Sequence, residues 1–395
     1  MPASARFVAD QGGHSRRERL IRTGILTVLL CLAGFAPPPT ADAGTNQEER
    51  PYVQATPGYA YRFPRDHGSH DAYRTEWWYY TGHLTAADGR RFGYQLTFFR
   101  RAVEPKKGPA ATSRWAIHQL YFAHLALSDL TEGRFRYADK ISRAGLGKAG
   151  AEAERLHVWI DRWSLDADPR TDAHRLRAAA QDFSIDLTAQ AEKPPAIHGR
   201  DGVSRKGAGP GQASHYFSST RMRTTGTVTI AGQPLTVEGL SWMDHEFGSS
   251  ELDRDLAGWD WFSVQLADGS ECMLYLLRHA DGGIDPASSG SLIRADGRVQ
   301  PLVLADFSVA VKDWWTSPHS GARYPSRWTL MLPSLGLVLD ATPELADQEL
   351  RTARSTRVIY WEGAVRIAGT RHGIPLDGHG YVELVGYAPR SKPRL

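Results

Sequence analysis

From Thr75 onward the chain alternates apolar and polar positions with a period of two, in short runs broken by Gly- and Asp-containing turns. That periodicity predicts β-strands rather than helices. In the stretch from Trp115 to Leu127, His118, Leu120, Phe122 and His124 fall on one face, and Ile117, Gln119, Tyr121, Ala123 and Leu125 on the other. Near the start, Glu76, Trp78 and Tyr80 share a face while Trp77, Tyr79 and Thr81 share the opposite one, so large rings lie on both sides of a single strand. Such a strand either lines a filled barrel that is also covered outside, or turns one face to an apolar cavity. In the cavity case Trp78, Tyr79 and Tyr80 contact a ligand, the rings supplying area and the hydroxyls orientation.

The aromatic strand is written twice. Trp77 to Leu84 is answered by Trp259 to Leu266, each copy followed by an Asp-Gly turn (Asp88-Gly89, Asp268-Gly269) and an apolar strand ending on Arg100 or Arg278. Arg162-Trp163-Ser164-Leu165 is answered by Arg327-Trp328-Thr329-Leu330. Ser219-Thr220-Arg221 with Gly226 to Gly232 is answered by Ser355-Thr356-Arg357 with Gly363 to Gly369. Ordered anchors with variable spacing predict an all-β chain of two tandem β-domains that arose by internal duplication. The expected bounds are a lead-in segment at 44–72, a first domain at 73–248, a junction at 249–258 and a second domain at 259–388. Loops are expected at 101–114, 141–155 and 193–212, where Gly and Pro concentrate.

Composition supports strand: the 12 Trp, 15 Tyr and 13 Phe suit cross-strand packing, and the 38 Gly and 23 Pro supply turns. Residues 1–43 read as a signal peptide, with Arg16, Arg17, Arg19 and Arg22 ahead of an apolar run from Gly24 to Ala36, then Ala41-Asp42-Ala43 for cleavage. A periplasmic or secreted location is therefore expected, by a twin-arginine-like or a general route. Removing that segment leaves 42 basic against 41 acidic residues, which gives no reason to expect a nucleic-acid partner. Cys272 is then the only cysteine, so no internal disulfide forms.

The densest polar cluster is Trp242-Met243-Asp244-His245-Glu246-Phe247-Gly248, followed by Trp259-Asp260-Trp261. Alternation places Trp242, Asp244 and Glu246 on one face and Met243, His245 and Phe247 on the other, so a site must combine acids and rings across strands. A buried carboxyl is kept protonated, and Trp and Tyr faces stabilise positive charge; together these suit chemistry through a carbocation. The competing role is structural, with Asp and His tying down strand ends. Adjacent strand residues point to opposite sides, and no His-x-x-x-His or Cys pair occurs, so the sequence calls for no metal or other cofactor. A Gly-x-Ser-x-Gly elbow, a P-loop and a dinucleotide fingerprint are all missing.

Glu76-Trp77-Trp78-Tyr79-Tyr80-Thr81-Gly82, Ile197-His198-Gly199 through Ser204-Arg205-Lys206-Gly207, Ser241 to Gly248, and Gly258 to Phe262 together resemble the bacterial AttH-like proteins. That group is allied to carotenoid 1,2-hydratases and lipocalin-like pericyclases and is often labelled as predicted secreted hydrolases. The resemblance spans roughly Tyr59 to Tyr387 and implies two lipocalin-like barrels. It further implies a bound hydrophobic molecule, isoprenoid or lipid-like, and an acid that protonates an alkene. In that reading Asp244 or Asp260 is the acid, His245 orients water, and Trp242, Trp259, Trp261 and Tyr79 shape the pocket. The alternative it implies is a non-catalytic carrier that serves a membrane transporter complex.

Overall fold

The computed structural model describes residues 52–103, 117–209, 211–250 and 255–388. The stretch read as a signal peptide lies outside them. Apart from short 3-10 turns such as Arg65–His67, regular structure among the described residues is all strand, arranged in two antiparallel sheets. In hydrogen-bonded order the first sheet runs Arg134–Arg143, Gln119–Asp129, Arg91–Ala102, Thr75–Ala86, Gln233–Gly248, Ala213–Ile230, Phe183–Ala191, His174–Ala179, Trp163–Ala167, His157–Ile160 and Ala149–Ala151. The second runs Val299–Val303, Ser289–Ile293, Glu271–His279, Leu256–Leu266, Ile374–Val385, Ile359–Arg371, Leu337–Pro343, Arg323–Leu332 and Ser308–Thr316. In each, the first and last long strands in sequence lie side by side. The sheet is thus a meander whose ends meet, and the first curls until Arg134–Arg143 touches His157–Ile160. Two lipocalin-like barrels or half-barrels result.

Alternation now has a physical meaning on every central strand. Trp78, Tyr80, Phe92, Phe98, Met243 and Phe247 fill the first barrel, and Phe262, Val264, Leu274, Trp328, Trp361 and Val382 fill the second. The opposite faces of the same strands press the two sheets together through Tyr79, Tyr216, Trp242, Trp261, Tyr275 and Tyr381. A strand with rings on both faces is therefore one that fills a barrel inside and is covered by the neighbouring barrel outside. Contact is close: a Cβ on Gly93 would stand 2.7 Å from Ala364 Cβ and 3.0 Å from Tyr381 Oη.

The lead-in segment is part of the first barrel. Tyr59 and Tyr61 pack edge-on against Phe247 and Phe217, and Trp78 Nε1 donates to the His67 carbonyl at 3.0 Å. The loop at 193–212 carries two short strands, Ala196–Ile197 and Ser204–Arg205, that pair with Ala213–Ile230. Lys193 ties it across to Glu271 of the second sheet at 2.7 Å.

Hydrogen-bond register corrects how the two copies align. Ala86 and Leu266 open equivalent turns, bonding to Arg90 and Ser270, and the hairpins at Ala231-Gly232 and His372-Gly373 are equivalent too. Thr81 stands opposite Trp242 as Trp261 stands opposite Glu383. The partner of Trp259 is therefore Tyr79, one same-face step away from the Trp77 that sequence matching selected. Arg162-Trp163 and Arg327-Trp328 also fall on strands at different places in their sheets. Aromatic residues recur along one face, and matching by residue type slides along that face without penalty.

Candidate active site

Between the two barrels the pressed faces leave a cavity of about 150 Å³. Its walls are aromatic: Trp77, Tyr79 and Phe99 come from the first sheet, and Trp259, Trp261 and Tyr275 from the second. Among the rings stand four carboxyl groups. Asp244 and Glu246 come from strand Gln233–Gly248, Glu362 from Ile359–Arg371 and Glu383 from Ile374–Val385.

Asp244 accepts three hydrogen bonds: from Tyr216 Oη at 2.6 Å, from Trp242 Nε1 at 2.5 Å and from Ser218 Oγ. Tyr216 Oη in turn accepts from Trp261 Nε1 at 3.1 Å, which links the two sheets through the acid. Burial pushes the Asp244 carboxyl up to about 7, against the pull of its three donors. Glu383 accepts from Trp259 Nε1 at 2.9 Å. Burial, aided by the charges of Asp244 and Glu246, pushes it up to about 7 as well.

Glu362 is 1% exposed, and no donor comes within ordinary hydrogen-bond geometry of either oxygen. The Tyr79 hydroxyl faces it and acts on it electrostatically. Burial and the neighbouring Glu383 hold Glu362 well above the usual carboxyl range. Glu246 accepts from Ser214 and pairs with Lys206 Nζ at 2.9 Å. Burial pulls the Lys206 amine down, but Glu246, Tyr275 and Asp244 together hold it above its ordinary value.

The structure brings together Asp244, Trp259, Trp261 and Tyr79 of the residues singled out in the sequence. Trp242 stands behind the wall as a donor to Asp244. Four others lie elsewhere. His245 points into the first barrel, donating from Nε2 to Glu76 at 2.8 Å, and burial lowers its imidazole to about 4. Trp78 and Tyr80 share that inward face, Tyr80 Oη meeting His174 Nδ1 at 2.9 Å. Asp260 faces the second barrel, where Arg278 Nε donates to it at 2.8 Å and Tyr387 Oη at 3.0 Å. Each of the four is one position out of phase with the cavity face, which is why it is absent from it.

Glu362, Glu383, Lys206, Tyr216 and Tyr360 were not singled out in the sequence. The signal available for the two glutamates was a lone acid set in an apolar run, Tyr360-Trp361-Glu362-Gly363-Ala364 and Tyr381-Val382-Glu383-Leu384-Val385.

A lipocalin-like protein of two barrels, with an aromatic, carboxyl-bearing cavity between them, is the class that this fold and site define. Residues 54–387 match the model of the AttH-like family, and the chain belongs to that family. The crystal structure of an AttH-type protein from Nitrosomonas europaea is similar, with a TM-score of 0.77 at 35% identity, covering 85% of this chain and 100% of that one. Kievitone hydratase from Fusarium solani subsp. phaseoli is 24% identical over 246 residues, 61% of this chain and 68% of the relative. The structure of kievitone hydratase from Nectria haematococca shares the fold, with a TM-score of 0.65 at 16% identity over 86% of this chain and 98% of that one.

Proposed function

We propose that the chain binds a hydrophobic, alkene-bearing molecule in the cavity between its barrels and adds water across the double bond. The observation that carries this reading is the pair Asp244 and Glu383, one carboxyl from each sheet, both brought to about 7 in one apolar cavity. Two interacting carboxyls of that kind hold about one proton between them near neutrality, so an acid and a base are present together. Asp244 is the donor, because Tyr216, Trp242 and Ser218 stabilise the carboxylate that donation leaves behind. Its proton goes to one alkene carbon, the π electrons forming the C–H bond. Trp259, Trp261 and Trp77 face the cation at the other carbon. The oxygen of water bonds to that carbon, and its surplus proton passes to Glu383, from which exchange with Asp244 closes the cycle. A hydratase among the relatives supports the reading.

The test is incubation of the purified protein with isoprenoid and lipid-like alkenes in oxygen-18 water, with products followed by mass spectrometry. Addition of one labelled water is expected, with Asp244→Asn and Glu383→Gln abolishing turnover while ligand still quenches tryptophan fluorescence. Unchanged turnover in both variants would refute the assigned roles. Binding without any turnover in the wild type would leave a carrier.

A further inference from the structure

A second group of ionisable side chains lies at the first barrel, away from the cavity. His67 closes the turn Arg65–His67 in the lead-in segment and is 3% exposed. Neither of its ring nitrogens is hydrogen-bonded: Nδ1 has no partner, and Nε2 comes no nearer than 3.7 Å to Asp172 Oδ2. His174, 2% exposed, opens strand His174–Ala179 and sets its ring edge-on to that of His67, with centroids 4.8 Å apart. Asp172, two residues before it, is held in a left-handed turn at φ 56° and keeps a half-exposed side chain. One ligand atom from each of His67, Asp172 and His174 lies within 4.8 Å of the others.

A buried imidazole whose Nδ1 meets no partner, and whose Nε2 stands 3.7 Å from a carboxylate oxygen, leaves room for an absent partner. Two imidazole nitrogens and one carboxylate oxygen form a donor set typical of zinc and its neighbours in the first transition row. The Tyr80 hydroxyl, 2.9 Å from His174 Nδ1, supplies the outer contact that fixes a ligating ring. We propose that His67, Asp172 and His174 bind one divalent transition-metal ion that clamps the lead-in segment to the first barrel.

The nearby group His70, Glu76 and His245 also brings its ligand atoms within 4.8 Å of one another but differs in one respect. The Arg100 guanidinium already supplies the positive charge there, donating to Glu76 at 2.9 Å and to the carbonyls of His70 and Tyr73 at 2.9 Å each. The cation position of that second group is filled by protein. Spacing along a single strand does not reveal the proposed ligands, because the three come from a turn in the lead-in segment, a second turn and a strand start.

The experiment uses the full chain stripped with a chelator and titrated with Zn²⁺ by calorimetry and with Co²⁺ by visible absorption. One ion per chain is expected, with a rise in melting temperature. His67→Gln, His174→Gln and Asp172→Asn should each weaken binding by about tenfold or more. His319→Gln, which removes a surface His319–Asp347 pair, should leave binding unchanged. Absence of stoichiometric binding in the wild type, or equal binding by the His67→Gln, His174→Gln double variant, would overturn the proposal. Zinc-edge X-ray absorption on the wild type keeps the test decisive should a variant misfold: imidazole scatterers support the site, and a shell without them overturns it.

Discussion

Replacing Asp244 by Asn isolates the electrostatic claim about the cavity from any question of substrate. The amide that takes the place of the carboxyl keeps an oxygen for Ser218 and Trp242, and its nitrogen can donate to Tyr216 Oη, so packing and hydrogen-bond count are nearly conserved. What changes is the charge that can form. The wild-type carboxyl moves from an ordinary 3.8 to about 7 on folding, because burial penalises the anion. A rise of that size corresponds to about 4 kcal/mol. The folded state favours the protonated acid, so its contribution is complete below the unfolded value near 3.8 and is lost as pH rises through about 7. The variant has no such loss, and without the Asp244 charge Glu383 also ionises more easily. Urea unfolding at a series of pH values from acid to mildly alkaline measures this directly. The two proteins should be of similar stability at the acid end. The variant should gain on the wild type by up to about 4 kcal/mol across the range. Stability curves that stay parallel would refute the argument that Asp244 is a buried neutral acid.

Three further outcomes follow from named contacts. Glu76→Gln removes the charge that Arg100 and His70 meet inside the first barrel, and should cost about 3 to 5 kcal/mol in urea unfolding, since buried Arg100 then keeps only the more distant Asp71 carboxylate at 3.8 Å. Arg278→Met takes away the partner of buried Asp260 while leaving the cavity carboxyls in place. Calorimetry should show a lower melting temperature that partly recovers in acid, where Asp260 is neutral, and a loss equal at all pH would contradict the pairing. Gly93→Val places atoms where Ala364 and Tyr381 now pack, and should separate the barrels enough for an apolar fluorescent dye to bind; unchanged dye fluorescence and stability would count against that close approach.

Much of this protein was legible in the residues. Period-two alternation, turn residues and repeated aromatic strands were enough for an all-β chain of two domains, because strand periodicity is a local property of the chain, while the barrel form came from the family resemblance. The same alternation put Trp242, Asp244 and Glu246 on a common face, and that face is the one that meets the second sheet. It did not say which side of a two-faced strand is inside a barrel and which is pressed on its neighbour. Trp78, Tyr80, His245 and Asp260 were therefore grouped with Tyr79, Asp244 and Trp261, although each lies on the other side.

The sequence by itself determined the strands, their pleat and the chemical kinds of side chain available for a site. Only the tertiary structure decided that Glu362 and Glu383, more than a hundred residues from Asp244, share its cavity, and that Tyr79 rather than Trp77 corresponds to Trp259. It likewise set His67 beside His174. The reason is that cross-strand register and sheet-on-sheet packing are long-range contacts. Burial, which raises the pKa of these acids and leaves the His67 Nδ1 without a partner, exists only once both barrels have closed.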